Sequence, residues 1–267
     1  MNGGTVEADA RVDVVVGAGS GMGAAAAAAL GSGRHLVLAD RDRAALERVG
    51  ATFGERVECI VCDLTDPADV ARLAARIPVL GSLVVTAGLS PTMADGERIF
   101  AVNLVGMARL LEALDGSVTD GSAAVCFASI AGHGITPPDA VVAALDDPLA
   151  PALLERLRDA GVDPADPGSA YGLSKLGVIR LVRRLATSWG RRGARVLSLS
   201  PGIIDTPMGR QELEQQPMMG PMIELVGRMG RPGELAAVAA FLVSDGASFM
   251  NGCDVLVDGG FMAATST

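Results

Sequence analysis

VDVVVGAGSGMGAAAAAAL, Val12 to Leu30, decides how the rest of this chain is read. A short β-branched run stops at Gly17, glycines recur at 19, 21 and 23, and alanines then continue to a leucine. Valines favour a strand and alanines a helix, so the stretch reads as strand, tight turn, helix. By length the uncharged window 14–33 is also a membrane-span candidate. Its six glycines and the abrupt change from β-branched residues to alanines argue against a span.

The same alternation continues along the chain. Apolar runs at about 12–16, 35–39, 57–61, 82–86, 122–128, 194–199 and 253–257 predict strands. Helical spacing at about 21–32, 42–49, 67–76, 96–114, 170–189 and 233–243 predicts helices between them. The strand segments are apolar throughout rather than alternating, which means burial on both faces. The fold expected is α/β: one doubly wound Rossmann-type domain over residues 1–267, with a parallel seven-stranded sheet and helices on both faces. Two segments break the rhythm. Residues 133–168 carry six prolines and one helical pattern, Pro151 to Ala160, and read as an insertion with its own helix. Residues 207–232 contain Met208, Met218, Met219, Met222 and Met229 and read as an adaptable apolar lid.

Composition narrows the function. A net charge of −9 argues against nucleic acid or an anionic membrane as partner. Hydrophobic residues make up 49% but aromatics only 3%, so the core is aliphatic. Cys59 and Cys62 form a C-x-x-C on a strand segment, where side chains three apart face opposite ways, so neither a metal nor a redox pair is expected. No metal site is expected elsewhere. Free thiols and the lack of an export signal point to the cytoplasm.

Glycines 17, 19, 21 and 23, with Ser20 and Met22, form a turn of the kind that lets a backbone approach a pyrophosphate at a helix N-terminus. The next strand ends at Asp40, 23 residues after Gly17, near the spacing of a carboxylate that binds an adenosine ribose. A carboxylate there accepts from both ribose hydroxyls and repels a 2′-phosphate, so NAD is expected over NADP. Arg41 is the competing feature, since it could pair with that phosphate. Asp63 could cap the helix that begins at Pro67 or could contact adenine. Finally, Tyr171 and Lys175 are the single tyrosine and single lysine of the chain, four residues apart and so on one helix face. An ammonium beside a phenol favours the phenolate, which makes the pair a candidate proton donor and acceptor.

In this order the motifs resemble those of the short-chain dehydrogenase/reductase family, and the match runs nearly end to end. Gly17, Gly21 and Gly23 match its glycine turn, with Val16 in place of the usual threonine. Asp63-Leu64 matches the adenine-binding pair. Thr86-Ala87-Gly88 stands where the family usually has Asn-Ala-Gly. Asn103, Ser129 and the Tyr171-x-x-x-Lys175 pair match the catalytic residues, and Pro201-Gly202-Ile203-Ile204-Asp205-Thr206-Pro207 matches the loop that holds the nicotinamide end. Ser244 to Gly252 and Val257 to Gly260 resemble the family's C-terminal pattern.

The resemblance implies hydride transfer between an alcohol carbon and nicotinamide. Tyr171 would move the proton, Ser129 would bond the substrate oxygen, and Lys175 would hold the ribose. Asn103 would bend its helix or hold a water. Ile204 and Thr206 would meet the carboxamide. Ser129 and Tyr171 lie 42 residues apart, further than in most members, and Gly88 to Asn103 is short. Both features resemble the bacterial 3α-hydroxysteroid dehydrogenase/carbonyl reductase branch. The lid methionines suit a small apolar alcohol or ketone, steroid-like or aromatic; the alternatives are another carbonyl class, an acyl-thioester ketone or a quinone, and, against the intact Ser/Tyr/Lys/Asn set, a non-catalytic NAD-binding sensor. The insertion lies beside the helix through which many members pair, so a homodimer through another face is expected, with a tetramer as alternative.

Overall fold

The computed structural model describes residues 11–31, 35–54 and 57–265. Seven strands, β1 Val12–Val16, β2 His35–Asp40, β3 Val57–Val61, β4 Leu80–Val85, β5 Ala123–Phe127, β6 Arg195–Pro201 and β7 Asp254–Val257, form one sheet. Their order is β3-β2-β1-β4-β5-β6-β7, and every neighbouring pair is parallel. Each predicted strand is present, with ends displaced by no more than two residues.

Successive strand residues feed two separate cores. Val14, Val16, Val37, Ala39, Leu83, Val85, Ala124 and Cys126 belong to one cluster. Val15, Leu36, Leu38, Val84, Val125, Phe127, Leu197 and Leu199 belong to the other. This is the two-residue period of a strand with both faces covered, and it explains the unbroken apolar runs.

Helices α1 Gly21–Leu30 and α2 Arg43–Gly50 lie on the second face. The alanine run lets Ala26 and Ala27 of α1 pack beside Leu235 and Ala239 of the later helix α11, Pro232–Val243. The first face carries α3 Pro67–Ala74, α4 Gly96–Phe100, α5 Met107–Ala113 and the long α8 Pro167–Gly190. Segment 96–114 was expected as one helix. It is α4 and α5 joined by a π-helical stretch, Ala101–Gly106, with Asn103 inside it.

The insertion holds two helices, not one: α6 Asp139–Leu145 precedes α7 Leu153–Asp159. The first was hidden because, between Pro137-Pro138 and Asp146-Asp147, only six apolar residues, Ala140 to Leu145, follow Asp139. Val141, Leu145, Leu153 and Leu157 are buried in the same core as α8. Asp146 clamps α8 from outside, accepting from Arg180 Nε and Nη2 at 2.7 and 2.6 Å and from Arg184 Nη1 at 2.5 Å. Residues 207–232, expected as a lid, hold α9 Pro207–Gln215, α10 Met219–Val226 and the turn into α11, and the described chain ends in α12 Phe261–Thr265. Among the described residues, no helix is long and apolar enough to cross a membrane.

Candidate active site

In a sheet of this order the connections from β1 and β4, which are neighbours, leave in opposite directions and open a crevice at the strands' C-terminal ends. Thr86, just past β4, spans it: its hydroxyl donates to the carbonyls of Val16 and Gly17, each at 3.2 Å. The hydroxyl therefore ties the two strands together at the place where asparagine is usual in the resembling family. Gly17 adopts φ +85°, and a Cβ there would lie 2.5 Å from the Ala87 nitrogen. A Cβ on Gly23 would overlap the Gly17 carbonyl. These two glycines are thus required by the turn's own packing.

A cavity of about 390 Å³ follows this turn. It is lined by Gly17, Gly19, Ser20, Gly21, Met22 and Gly23, by Asp40 and Arg41, by Asp63 and Leu64, and by Ala87, Gly88 and Thr206. Ser20 is the N-cap of α1, yet its side chain makes no cap hydrogen bond, which leaves the helix's first turn open toward an anion. Asp40 is held by two backbone donors, Gly19 N to Oδ2 at 2.8 Å and Asp42 N to Oδ1 at 3.0 Å. Arg41 is exposed at the rim. These features fit a dinucleotide: backbone and a helix end for phosphates, and a fixed carboxylate for ribose hydroxyls.

The sequence reading of Asp63 as a helix cap does not hold. Asp66 caps α3, accepting from Ala68 N at 2.8 Å. Asp63 instead accepts from the Thr65 amide at 2.8 Å, the Thr65 hydroxyl at 2.7 Å and Arg98 at 2.9 Å. Burial works to raise its pKa, but these hydrogen bonds outweigh burial and hold the carboxyl below the usual range.

A second cavity of about 260 Å³ shares Met22, Thr86, Gly88, Leu89, Thr206 and Met208 with the first. Ser129, Tyr171, Lys175, Pro201, Gly202 and Ile204 line it. Ser129, two residues past β5, is extended and caps a 3₁₀ turn, Ile130–Gly132, with its Oγ accepting from Ala131 N at 3.2 Å. Tyr171 and Lys175 project from α8, which Asp166 caps and Pro167 begins. The Lys175 ammonium donates to the Phe127 carbonyl at 3.0 Å and lies 5.7 Å from the Tyr171 ring centroid. Thr206 caps α9, its Oγ1 accepting from Gly209 N at 3.0 Å and donating weakly to the Ile204 carbonyl at 3.5 Å.

Of the residues expected to be catalytic or to hold the cofactor, Asn103 alone lines neither cavity. It is buried beneath them and holds Leu89 by both backbone groups: Oδ1 accepts from Leu89 N at 2.7 Å and Nδ2 donates to Leu89 O at 2.9 Å. Its Nδ2 also reaches Ser174 Oγ at 3.5 Å, and Ser174 donates to the Tyr171 carbonyl at 2.9 Å. The π turn turns Asn103 toward the loop after β4, in keeping with the expected bend.

The electrostatics differ from expectation. The lysine was expected to draw the tyrosine's pKa down. Burial wins instead and pushes Tyr171 up to about 12, against a lowering by its hydrogen bond with Ser129 and a further rise from the charge of Glu212. Burial likewise pushes Lys175 down to about 8. Tyr171 keeps some surface open to the cavity, so water tempers the effect. Glu212, on α9, lines this cavity and was missed from the sequence. No motif contains it, and only the packing of the lid brings it near Lys175. The C-x-x-C thiols do not pair. Cys59 is exposed, while Cys62 is buried and pushed up to about 12 by that burial.

Comparison with known proteins gives a consistent picture. A family model described as short chain dehydrogenase matches residues 11–137, and one described as Enoyl-(Acyl carrier protein) reductase matches 160–262. A short-chain dehydrogenase/reductase of Alternaria brassicicola is 35% identical, over 88% of this chain and 90% of its own. The galactitol 2-dehydrogenase (L-tagatose-forming) of Cereibacter sphaeroides is 31% identical, over 86% of each chain. The crystal structure of the 3-alpha-hydroxysteroid dehydrogenase from Pseudomonas sp. B-0831 complexed with NADH superposes with a TM-score of 0.77 at 29% identity, covering 95% of this chain and 98% of that one.

Because Tyr171 is the single tyrosine, phenolate absorbance in the near ultraviolet reports it alone. In the free protein it is expected to remain a phenol through pH 10 and to ionise near 12. Ionisation at or below the ordinary value would show that the lysine outweighs burial.

Proposed function

Because the chain belongs to the short-chain dehydrogenase/reductase family, we propose that it is an NAD(H)-dependent oxidoreductase interconverting a secondary alcohol and a ketone on a largely apolar substrate. The observation that carries this reading is the convergence of Ser129, Tyr171 and Lys175 on one cavity that shares walls with the glycine-lined groove.

Nicotinamide, when bound, supplies the hydride acceptor or donor. The protein's task is to hold the substrate oxygen and move its proton. Tyr171 takes the alcohol proton in oxidation and returns it in reduction. Ser129 bonds the same oxygen and stabilises charge developing on it. Lys175, held by the Phe127 carbonyl, lies where it can reach ribose hydroxyls and favour the phenolate. Asn103 acts from beneath, fixing Leu89 in the cavity wall. Pro201, Gly202 and Ile204 shape the nicotinamide end of the groove. The positive ring of the oxidised cofactor opposes the burial that raises Tyr171, so alcohol oxidation is expected to accelerate with rising pH as the phenolate forms, and carbonyl reduction to slow.

Asp40 supports NAD over NADP. Its carboxylate is already fixed by Gly19 and Asp42 at the site where a 2′-phosphate would sit. Pro91, Ile130, Ile203, Met219 and Met222 make the substrate cavity mostly apolar. The acyl-thioester alternative needs free cations for a phosphorylated carrier. The lid's Arg210 is paired with Asp205 and Arg228 with Glu234, which weighs against it.

We read the chain as one working unit, with the insertion and the lid as its additions, and as cytoplasmic in keeping with four free thiols. A homodimer is proposed through the β7 edge. The insertion covers α8, whereas β7 has a neighbour on one side only, and Phe241, Phe249 and Leu256 stand exposed around it.

Tyr171→Phe is expected to lower kcat for alcohol oxidation by about 10²–10⁴-fold while NADH binding, followed by its fluorescence, largely persists. Activity within a few-fold of wild type rejects the assignment. Asp40→Ala should cut kcat/KM with NAD⁺ by about tenfold to a hundredfold and improve NADP⁺, from the loss of charge-assisted hydrogen bonds. A wild-type preference for NADP⁺ overturns that argument. Light scattering should find the wild type dimeric and Phe249→Asp monomeric. A monomeric wild type, or an unchanged dimer in the variant, counts against the β7 face.

A further inference from the structure

The lid carries an acidic side chain into the catalytic cavity. Glu212 lies in the second turn of α9 and lines the same space as Ser129, Tyr171 and Lys175, whose remaining wall is mostly aliphatic and thioether. It is half-buried there, beside Ser90, a wholly buried residue whose hydroxyl favours the Glu212 anion. Ser90 itself shares a hydrogen bond with Thr92 at 3.0 Å.

A carboxylate offers about four lone-pair positions. The Lys175 ammonium donates to the Phe127 carbonyl at 3.0 Å, and among the described residues it forms no ion pair with Glu212. An acceptor left short of donors in an apolar cavity is costly, and a donor on the ligand removes that cost. Resting on the dehydrogenase reading above, we propose that Glu212 is the specificity-determining residue of the substrate cavity, accepting a hydrogen bond from a second donor group on the substrate, a hydroxyl or an ammonium remote from the reacting carbon. The substrate class is then narrower than an apolar alcohol: it is an apolar body bearing a reacting hydroxyl and one further donor. On balance burial raises the pKa of Glu212, against lowerings from Ser90 and from the charge of Lys175. A residue serving only the structure of this segment would be indifferent to what the substrate carries.

The test is a matched series with NAD⁺: cyclohexanol, the 1,2-, 1,3- and 1,4-cyclohexanediols and the corresponding aminocyclohexanols, on wild type, Glu212→Ala and Glu212→Gln. In the wild type the best bifunctional alcohol is expected to exceed cyclohexanol in kcat/KM by about tenfold to a hundredfold, mostly through KM. In Glu212→Ala that ratio should collapse toward one. In Glu212→Gln a diol preference should survive in part and an ammonium preference should vanish, which separates the two donors. No bifunctional preference in the wild type overturns the inference, as does a preference left intact by Glu212→Ala. A fall shared equally by every substrate, with the ratio unchanged, also overturns it and assigns Glu212 to lid structure. Turnover of no alcohol with either NAD⁺ or NADP⁺ rejects the dehydrogenase reading itself. Turnover of cyclohexanol without a preference rejects only the role of Glu212.

Discussion

Everything at this site depends on holding β1 and β4 together at the point where their connections part. The β1–β4 ladder does this, extended by the Thr86 and Ala87 amides to the Val16 carbonyl at 2.8 and 3.2 Å and reinforced by the Thr86 hydroxyl on the carbonyls of Val16 and Gly17, while Gly17 and Gly23 leave no room for a side chain in between. The glycine groove opens on one side of that junction. Gly88 and Leu89, two and three residues past Thr86, form the wall it shares with the catalytic cavity. The same short segment is gripped from below by Asn103, which takes up both backbone groups of Leu89. The glycine groove and the cavity of Ser129, Tyr171 and Lys175 thus share this junction.

The chemistry is set against its surroundings. A phenol and an ammonium enclosed together both drift toward neutrality, because burial penalises each charged form more than the pair can recover at their separation. Ser129 counteracts this for Tyr171, and Glu212 aggravates it. The site is consequently poised for a ligand that brings positive charge. This is a physical reason for chemistry that waits on the oxidised cofactor.

The insertion and the sheet edge illustrate how one segment redirects a surface. Leu153 and Leu157 of α7 and Val141 of α6 join the core that α8 already shares with α4 and α5, and Asp146 locks two arginines of α8 outside it. A helix face that would otherwise be open is occupied by the chain itself. At the β7 edge, by contrast, Phe241, Phe249 and Leu256 are exposed.

Local chemistry made much of this legible. The period-two burial of the strands, the alanine run of α1, the glycine turn, Asp40 at the end of β2 and the Tyr171–Lys175 spacing each follow from rules that act over a few residues. The family's motif order then linked Ser129 and Asn103 to them. What tertiary structure alone decided depends on groups far apart in sequence. Asp63 turned from a cap into a partner of Arg98, 35 residues on, because α4 brings that guanidinium beside it. Helix α6 hid between prolines and aspartates until α8 supplied the core it packs on. Glu212 acquired its place only when the lid folded over Ser90. Above all, the sign of the tyrosine's shift was not legible, because spacing shows that a cation is near but only packing shows how completely water is excluded.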